Sequence, residues 1–256
     1  MLAIIGGTGL SQLSGFSQQR GKRVKTSFQN TAVAVTLVNS EQGEFLFLPR
    51  HGKTHKLPPH LVNYRANLQA LKHLGATSLI AVNAVGGIGA DLGPGVFCVP
   101  DQIIDYTWGR EQTFFSGGPS GVRHVDFTQP YDEAMRYLLL QAAARVNGGS
   151  DSQTMVVNGG VYGCTQGPRL ETAAEIRRLQ RDGCHMVGMT GMPEAGLARE
   201  LELPYACIAL SVNWAAGLDD APLDLQAMEV VVQQGMDFIS RLIRECVALV
   251  AADHRV

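Results

Sequence analysis

The sequence predicts an α/β fold, a single domain over residues 1–256. Three observations carry this reading: short apolar runs of strand length, helical periodicities between them, and enough apolar residues for one large core. Hydrophobic residues make up 45% of the 256 and charged residues 17%, which excludes a disordered composition. Strands interleaved with helices place the sheet inside, between helical layers. Neither a repeat nor a linker-like stretch divides the chain.

In chain order, strands are expected at Leu2–Ile5, Ala32–Val38, Glu44–Leu48, Ser78–Asn83, Gly95–Val99, Thr154–Val157, His185–Met189 and Tyr205–Val212. Each is a short apolar or alternating run. Tyr64, Leu68 and Leu71 recur at helical spacing, and Gly75 is placed to end that helix. Thr172 and Glu175 form a TxxE capping box ahead of Ile176 and Leu179, with Gly183 as the stop. A long C-terminal helix is expected from Asp224 as N-cap, with Leu225, Met228, Val232, Ile239, Leu242, Cys246 and Leu249 on one face. The segment Tyr106–Gln129 is rich in Gly, Ser, Thr and aromatics and reads as a long loop. Loops of that length in compact domains are often functional.

Charge and cysteine usage exclude several function classes. Lysine plus arginine total 21 and aspartate plus glutamate 23, a net charge of −2. A dedicated binder of nucleic acid or anionic membrane would need clustered cations. The five cysteines, Cys98, Cys164, Cys184, Cys207 and Cys246, are scattered and form no CxxC. They read as reduced thiols in a cytoplasmic protein rather than a disulfide framework or zinc site. There is no HExxH, so no metal is expected. MLAIIGGTGL lacks a basic leader region, and no apolar run is long enough to span a bilayer.

Most generic motifs fail. Gly6-Gly7-Thr8-Gly9 follows the first strand, but a GxGxxG match from Gly7 needs glycine at Gln12. It also needs an acid about 20 residues on, and the first acid in the chain is Glu41. A nicotinamide-dependent oxidoreductase is therefore disfavoured. The loop remains either an anion-binding nest of glycine amides or a plain strand-to-loop turn. Gly52-Lys53-Thr54 imitates a P-loop, yet Phe47 stands where its first glycine belongs. Arg50-His51 follows the apolar strand and offers donors suited to phosphate. An isolated pair of this kind is more often a solvated loop. The surrounding PRHGKTHKLPPHLVNYRAN, dense in cations, histidines and prolines, favours a functional site.

Taken together, these segments resemble the trimeric purine nucleoside phosphorylase and methylthioadenosine phosphorylase family. The matching stretches run in order along nearly the whole chain: IIGGTG at 4–9, LPRHG at 48–52, His55, NYRAN at 63–67 and NAVGG at 83–87. GCTQGPRLET at 163–172, VGMTGMPEAGLARE at 187–200 and CIALSVN at 207–213 complete the series. The resemblance implies a distorted, partly barrel-like mixed sheet flanked by helices, and a homotrimer with active sites near the subunit boundaries. It implies phosphorolysis of an N-glycosidic bond, with inorganic phosphate as co-substrate and no metal or organic cofactor. Phosphate would be held by Thr8, Arg50, His51, Asn83, Ala84 and Thr190. Met189 would lie against sugar or base, although a methionine there also fits a core role. His124 would reach a neighbouring subunit's site, or else is a surface histidine.

The same resemblance places substrate preference on a few positions. Adenine-specific members carry Asp-x-Asp where this chain has Asn213-Trp214-Ala215, three residues the resemblance places at the substrate. An asparagine amide both donates and accepts, which suits O6 and N7 of a 6-oxopurine. The adenine enzymes have serine where Glu171 stands, and a carboxylate there can accept the N1–H of hypoxanthine or guanine. The alternative for Glu171 is a helix N-terminal acid, and for Asn213 a turn residue. Asn213, Glu171 and His51 are the residues the resemblance assigns to catalysis. Inosine and guanosine phosphorylases place a histidine near the start of the last helix to bond the 5′-hydroxyl. Here that stretch contains Leu225 and Met228, which suit a 5′-methylthio group or are simple core residues. The expected substrate is S-methyl-5′-thioinosine, giving hypoxanthine and 5-methylthioribose 1-phosphate. Methylthioadenosine, inosine or guanosine as substrate, and a non-catalytic purine or phosphate sensor, are the alternatives.

Overall fold

The computed structural model describes residues 1–10, 15–16, 18–118, 121–149, 153–219 and 222–253. Gln12, on which the dinucleotide argument turned, lies outside them. Among the described residues, eleven strands form one mixed sheet. The strands are β1 (Leu2–Gly6), β2 (Gln18–Thr26), β3 (Gln29–Ser40), β4 (Gly43–Pro49), β5 (Ser78–Gly87) and β6 (Phe97–Val99). They continue with β7 (Gln102–Asp105), β8 (Val156–Asn158), β9 (Val161–Cys164), β10 (Met186–Gly188) and β11 (Tyr205–Trp214). The helices are α1 (Tyr64–His73), α2 (Glu133–Gly148), α3 (Ala173–Arg181), α4 (Glu194–Glu200) and α5 (Leu225–Asp253).

Side-chain alternation explains the layering. In β1, Leu2 and Ile4 join one apolar cluster with α2 and α5, while Ala3 and Ile5 join another with α1 and α4. β4 repeats this, with Phe45 and Phe47 on one face and Leu46 and Leu48 on the other. A central strand covered on both faces reads as an uninterrupted apolar run. Asn63 caps α1 by accepting from the Ala66 amide at 3.0 Å, and the TxxE capping box of α3 forms in full. Asp224 accepts from the Gln226 amide at 2.8 Å at the start of α5, as its N-cap position predicts.

The sheet branches along β5. β1 runs parallel to β5 only from Ser78 to Ala81, and β10 joins the same edge, antiparallel, only at Gly86 and Gly87. β11 follows the other edge from Leu79 to Gly87. One arm continues through β11, β6 and β8, the other through β10, β9 and β7. Between the points where β1 leaves and β10 arrives, Val82–Val85 has no ladder partner on that side. This opening positions the site.

Sequence reasoning missed β2, β7, β9, α2 and α4. β2 is almost wholly exposed and carries Arg20, Lys22, Arg23 and Lys25. A charged edge strand of this kind resists edge-to-edge association and shows little apolar signal. β5 extends four residues beyond its expected end, to Gly87.

Candidate active site

A cavity of about 780 Å³ opens at the branch. Thr8, Arg50, His51, Asn83, Ala84 and Thr190 line one end of it; Glu171, Met189, Asn213 and Ala215 line another, with Leu225 and Met228 from the first turn of α5. Two predicted residues are not brought in. Trp214 does not line the cavity; its ring lies beside Gly93, because the strand turns it to the opposite side from Asn213. His124 is exposed on the long loop and lines no part of this chain's cavity.

The first end is built on close backbone approach. A Cβ on Gly7 would sit 2.5 Å from the Val82 carbonyl oxygen and 2.9 Å from Arg50 Nη1, so only glycine fits. Gly9 has φ +82°, which turns the chain after Thr8. Arg50 follows β4 and is 1% exposed. Its Nε and Nη2 donate to the two oxygens of Glu194, both at 2.7 Å. Nη1 donates to the Val82 carbonyl at 3.1 Å and Nη2 to Asn83 Oδ1 at 3.4 Å. The fork that sequence reasoning matched to phosphate is therefore occupied by a carboxylate of the protein. Of five guanidinium N–H groups, one on Nη1, the nitrogen nearest Gly7, has no partner among the described residues. Burial alone would lower the Arg50 pKa; the Glu194 charge and hydrogen bonds reverse this and raise it. Glu194 also accepts from the Tyr205 hydroxyl at 2.9 Å. Asn83 Nδ2 donates to Thr190 Oγ1 at 2.9 Å, setting that hydroxyl.

His51 differs from its expected role as a donor. Its Nδ1 lies 2.8 Å from the Leu57 carbonyl oxygen, which can only accept, so Nδ1 carries the proton. Burial first, then the Arg50 charge, depresses its pKa to about 4. The ring is neutral at pH 7, with an unprotonated Nε2. His55 lies against it at 4.5 Å between centroids. His55 has φ +50°, a conformation seldom adopted by non-glycine residues outside turns.

At the other end, Glu171 Oε1 accepts from Thr165 Oγ1 at 2.6 Å. The carboxylate is thus held toward the cavity and takes no part in the α3 capping box, where Glu175 serves. A bulge in β11 shifts its register against β5 between Ser211 and Asn213, and bulges re-aim side chains. Asn213 Nδ2 donates to the Trp214 carbonyl at 2.6 Å, leaving its second amide hydrogen and Oδ1. Ala215 is 3% exposed and supplies no polar group. Leu225 is 67% exposed, so it forms a lip and not part of the core. Among the described residues, no group of three His, Cys, Asp or Glu is arranged to hold a metal.

Sequence reasoning missed Glu194, Tyr205 and Thr165 as supports, and Glu229 and Gln233 at the cavity wall. Glu194 had one legible sign: an acid directly after Pro193 within an otherwise small and apolar stretch.

The chain matches the Phosphorylase superfamily over residues 1–248 and belongs to it. It is 52% identical over 234 residues to a protein of Pseudomonas syringae pv. tomato named probable S-methyl-5′-thioinosine phosphorylase, covering 91% of this chain and 93% of that protein. It is 40% identical to a 6-oxopurine nucleoside phosphorylase of Pyrococcus furiosus, covering 99% and 94%. In three dimensions it resembles methylthioadenosine phosphorylase from Schistosoma mansoni in complex with adenine, with TM-score 0.88, 34% identity and coverage of 98% and 92%.

Proposed function

We propose that this chain catalyses phosphorolysis of S-methyl-5′-thioinosine to hypoxanthine and 5-methylthioribose 1-phosphate. The observation that carries the proposal is that Glu171 and Asn213 both line the cavity, together with the apolar Leu225 and Met228. One Glu171 oxygen is engaged by Thr165, and the other is available to accept N1–H, which neutral adenine lacks. Asn213 keeps a donor and an acceptor for O6 and N7. Ala215 in place of an acid removes the carboxylate that adenine-specific members offer to a 6-amino group. The apolar lip suits a methylthio group, since a 5′-hydroxyl desolvated there would lose about 1–3 kcal/mol.

In the reaction, a phosphate oxygen bonds to C1′ as the C1′–N9 bond breaks, and the bonding pair leaves with the purine. The sugar is cationic between two anionic groups, so the enzyme's work is positioning and charge stabilisation. Phosphate would lie against Thr8, the free Arg50 N–H, Asn83, Ala84 and Thr190. His51, neutral, would accept a hydrogen bond from a phosphate or sugar hydroxyl. Asn213, through its remaining amide hydrogen, would stabilise charge on the leaving base, Glu171 would hold the base by accepting N1–H, and Met189 would lie against the sugar. The reaction needs no metal or organic cofactor. We also read the protein as a cytoplasmic homotrimer in which His124 reaches a neighbouring subunit's site.

The test is phosphate-dependent base release from methylthioinosine, methylthioadenosine, inosine and guanosine in parallel, with sedimentation to read the oligomer. Preference for methylthioinosine is expected. Preference for methylthioadenosine would overturn the roles of Glu171 and Asn213. Preference for inosine would overturn those of Leu225 and Met228, and absence of turnover would favour a sensor.

A further inference from the structure

Arg110, in the loop between β7 and α2, makes more polar contacts than a surface arginine needs. Its Nη1 donates to the Met189 carbonyl at 2.8 Å and the Met192 carbonyl at 2.6 Å. Its Nη2 donates to the Thr165 carbonyl at 3.2 Å and the Gln166 carbonyl at 2.7 Å. Nε donates to Gln166 Oε1 at 3.1 Å, and Nη1 also lies 3.4 Å from the Tyr64 hydroxyl. These carbonyls belong to two segments that flank the cavity. β9 and β10 pair only as far as Cys164 and Gly188; next to that end the Thr165 amide and hydroxyl donate to the Gly188 carbonyl and the Met192 amide to Cys164 Sγ. Beyond that point the segments leave the ladder, and Arg110 spans them.

The two segments carry the chemistry of the base and sugar. Thr165 fixes Glu171, and Met189 lines the cavity. Gly167 sits so near Met189 that a Cβ would meet its sulfur at 2.4 Å. The loop that presents Arg110 is itself anchored, because Glu200 accepts from the Thr113 hydroxyl at 2.6 Å and the Phe114 amide at 2.7 Å. The phosphate end shares this wall at Thr190, which lies between Met189 and Met192, but it has supports of its own, since Asn83 sets the Thr190 hydroxyl and Glu194 and Val82 set Arg50.

We infer that Arg110 is a positioning residue for the base-and-sugar wall, holding Thr165–Gln166 and Met189–Met192 in register through their carbonyls. The inference rests on the function proposed above for this cavity. A planar fork can serve four carbonyls at once, and a lysine ammonium cannot. Displacing a positioning wall by about 1 Å can cost on the order of a hundredfold.

The test compares Arg110→Met and Arg110→Lys with the unaltered protein. KM is measured separately for nucleoside and phosphate, and titration calorimetry follows binding of whichever purine base the unaltered protein releases. Arg110→Met is expected to weaken base binding and raise the nucleoside KM roughly ten- to hundredfold, with a clearly smaller change in the phosphate KM, because Thr190 is also held by Asn83. Arg110→Lys should recover only part of the loss, and added guanidinium ion should restore base binding to Arg110→Met. Equal shifts in both KM values, or none, would overturn the inference. If Arg110→Met does not fold, Arg110→Lys and Gln166→Ala carry the test, and unchanged base binding in both overturns it. If the unaltered protein releases adenine, the substrate proposal fails while the Arg110 test proceeds with adenine.

Discussion

His51 carries two properties that its place in the sequence does not display together. The RHG stretch marks it as a residue of the site, yet a histidine next to an arginine at a strand end reads as one more donor. The fold gives Nδ1–H to the Leu57 carbonyl and buries the ring beside the Arg50 charge. Its pKa falls to about 4, against about 6.5 in an unfolded chain. The consequence for stability has a definite sign. Below pH 6.5 the unfolded chain takes up a proton that folded His51 refuses, so this contribution is complete above 6.5 and is lost as pH falls toward 4. The shift corresponds to about 3 kcal/mol at the acid end of that window. Urea unfolding at pH 7 and pH 5 should show a smaller acid loss for His51→Gln than for the unaltered protein. An identical loss would mean that His51 is protonated when folded.

α5 shows how an element can be plain in sequence while its use is not. Its N-cap and apolar stripe are legible from Asp224 onward, and Val232, Ile239, Leu242 and Cys246 are buried as the spacing requires. Leu225 and Met228 continue the same stripe and line the cavity, Leu225 exposed at its lip and Met228 half-buried with one side against the core. Periodicity identifies a face; it does not say whether protein or ligand covers it. Met228→His would place a polar partner near the 5′ position. It should lower the preference for methylthioinosine over inosine by about tenfold or more, matching the 1–3 kcal/mol for desolvating a hydroxyl. Parallel kcat/KM measurements on the two nucleosides check this, and an unchanged ratio would remove Met228 from the 5′ pocket. α4 is the opposite case. Its seven residues hold one large apolar side chain, Leu197, and Glu194 and Glu200 are both buried because they hold Arg50 and the long loop. A helix this short, with acids among its buried positions, shows no extended apolar stripe, so sequence reasoning passes over it. β1, β4 and β11 were legible because burial on both faces leaves a continuous apolar run; β2 was not, because its charges face water.

Across the whole molecule, the Arg50–Glu194 pair joins the parts that the branched sheet separates. Arg50 comes from the end of β4 and Glu194 from α4, while Asn83 on β5 and Tyr205 on β11 bond to one or the other. Both charged side chains are almost fully buried, at 0% and 2% exposure. A buried ion pair is weak evidence for net stability, but breaking one leaves an uncompensated charge that costs about 3–5 kcal/mol. Glu194→Gln should therefore lower the urea-unfolding free energy by about that amount. The same substitution has a second consequence at the site. With its fork no longer satisfied by a carboxylate, Arg50 carries a full positive charge beside Gly7, at the end of the cavity that would take phosphate. Phosphate binding compensates that charge only in the folded state, so it should stabilise Glu194→Gln more than it stabilises the unaltered protein. Thermal unfolding of both proteins across a phosphate titration separates the possibilities. A larger phosphate-dependent rise in Tm for the variant is expected. A smaller rise would show that Glu194 acts mainly by aiming the remaining Arg50 N–H at the anion, and that the orientation of Arg50, more than its charge, governs phosphate affinity.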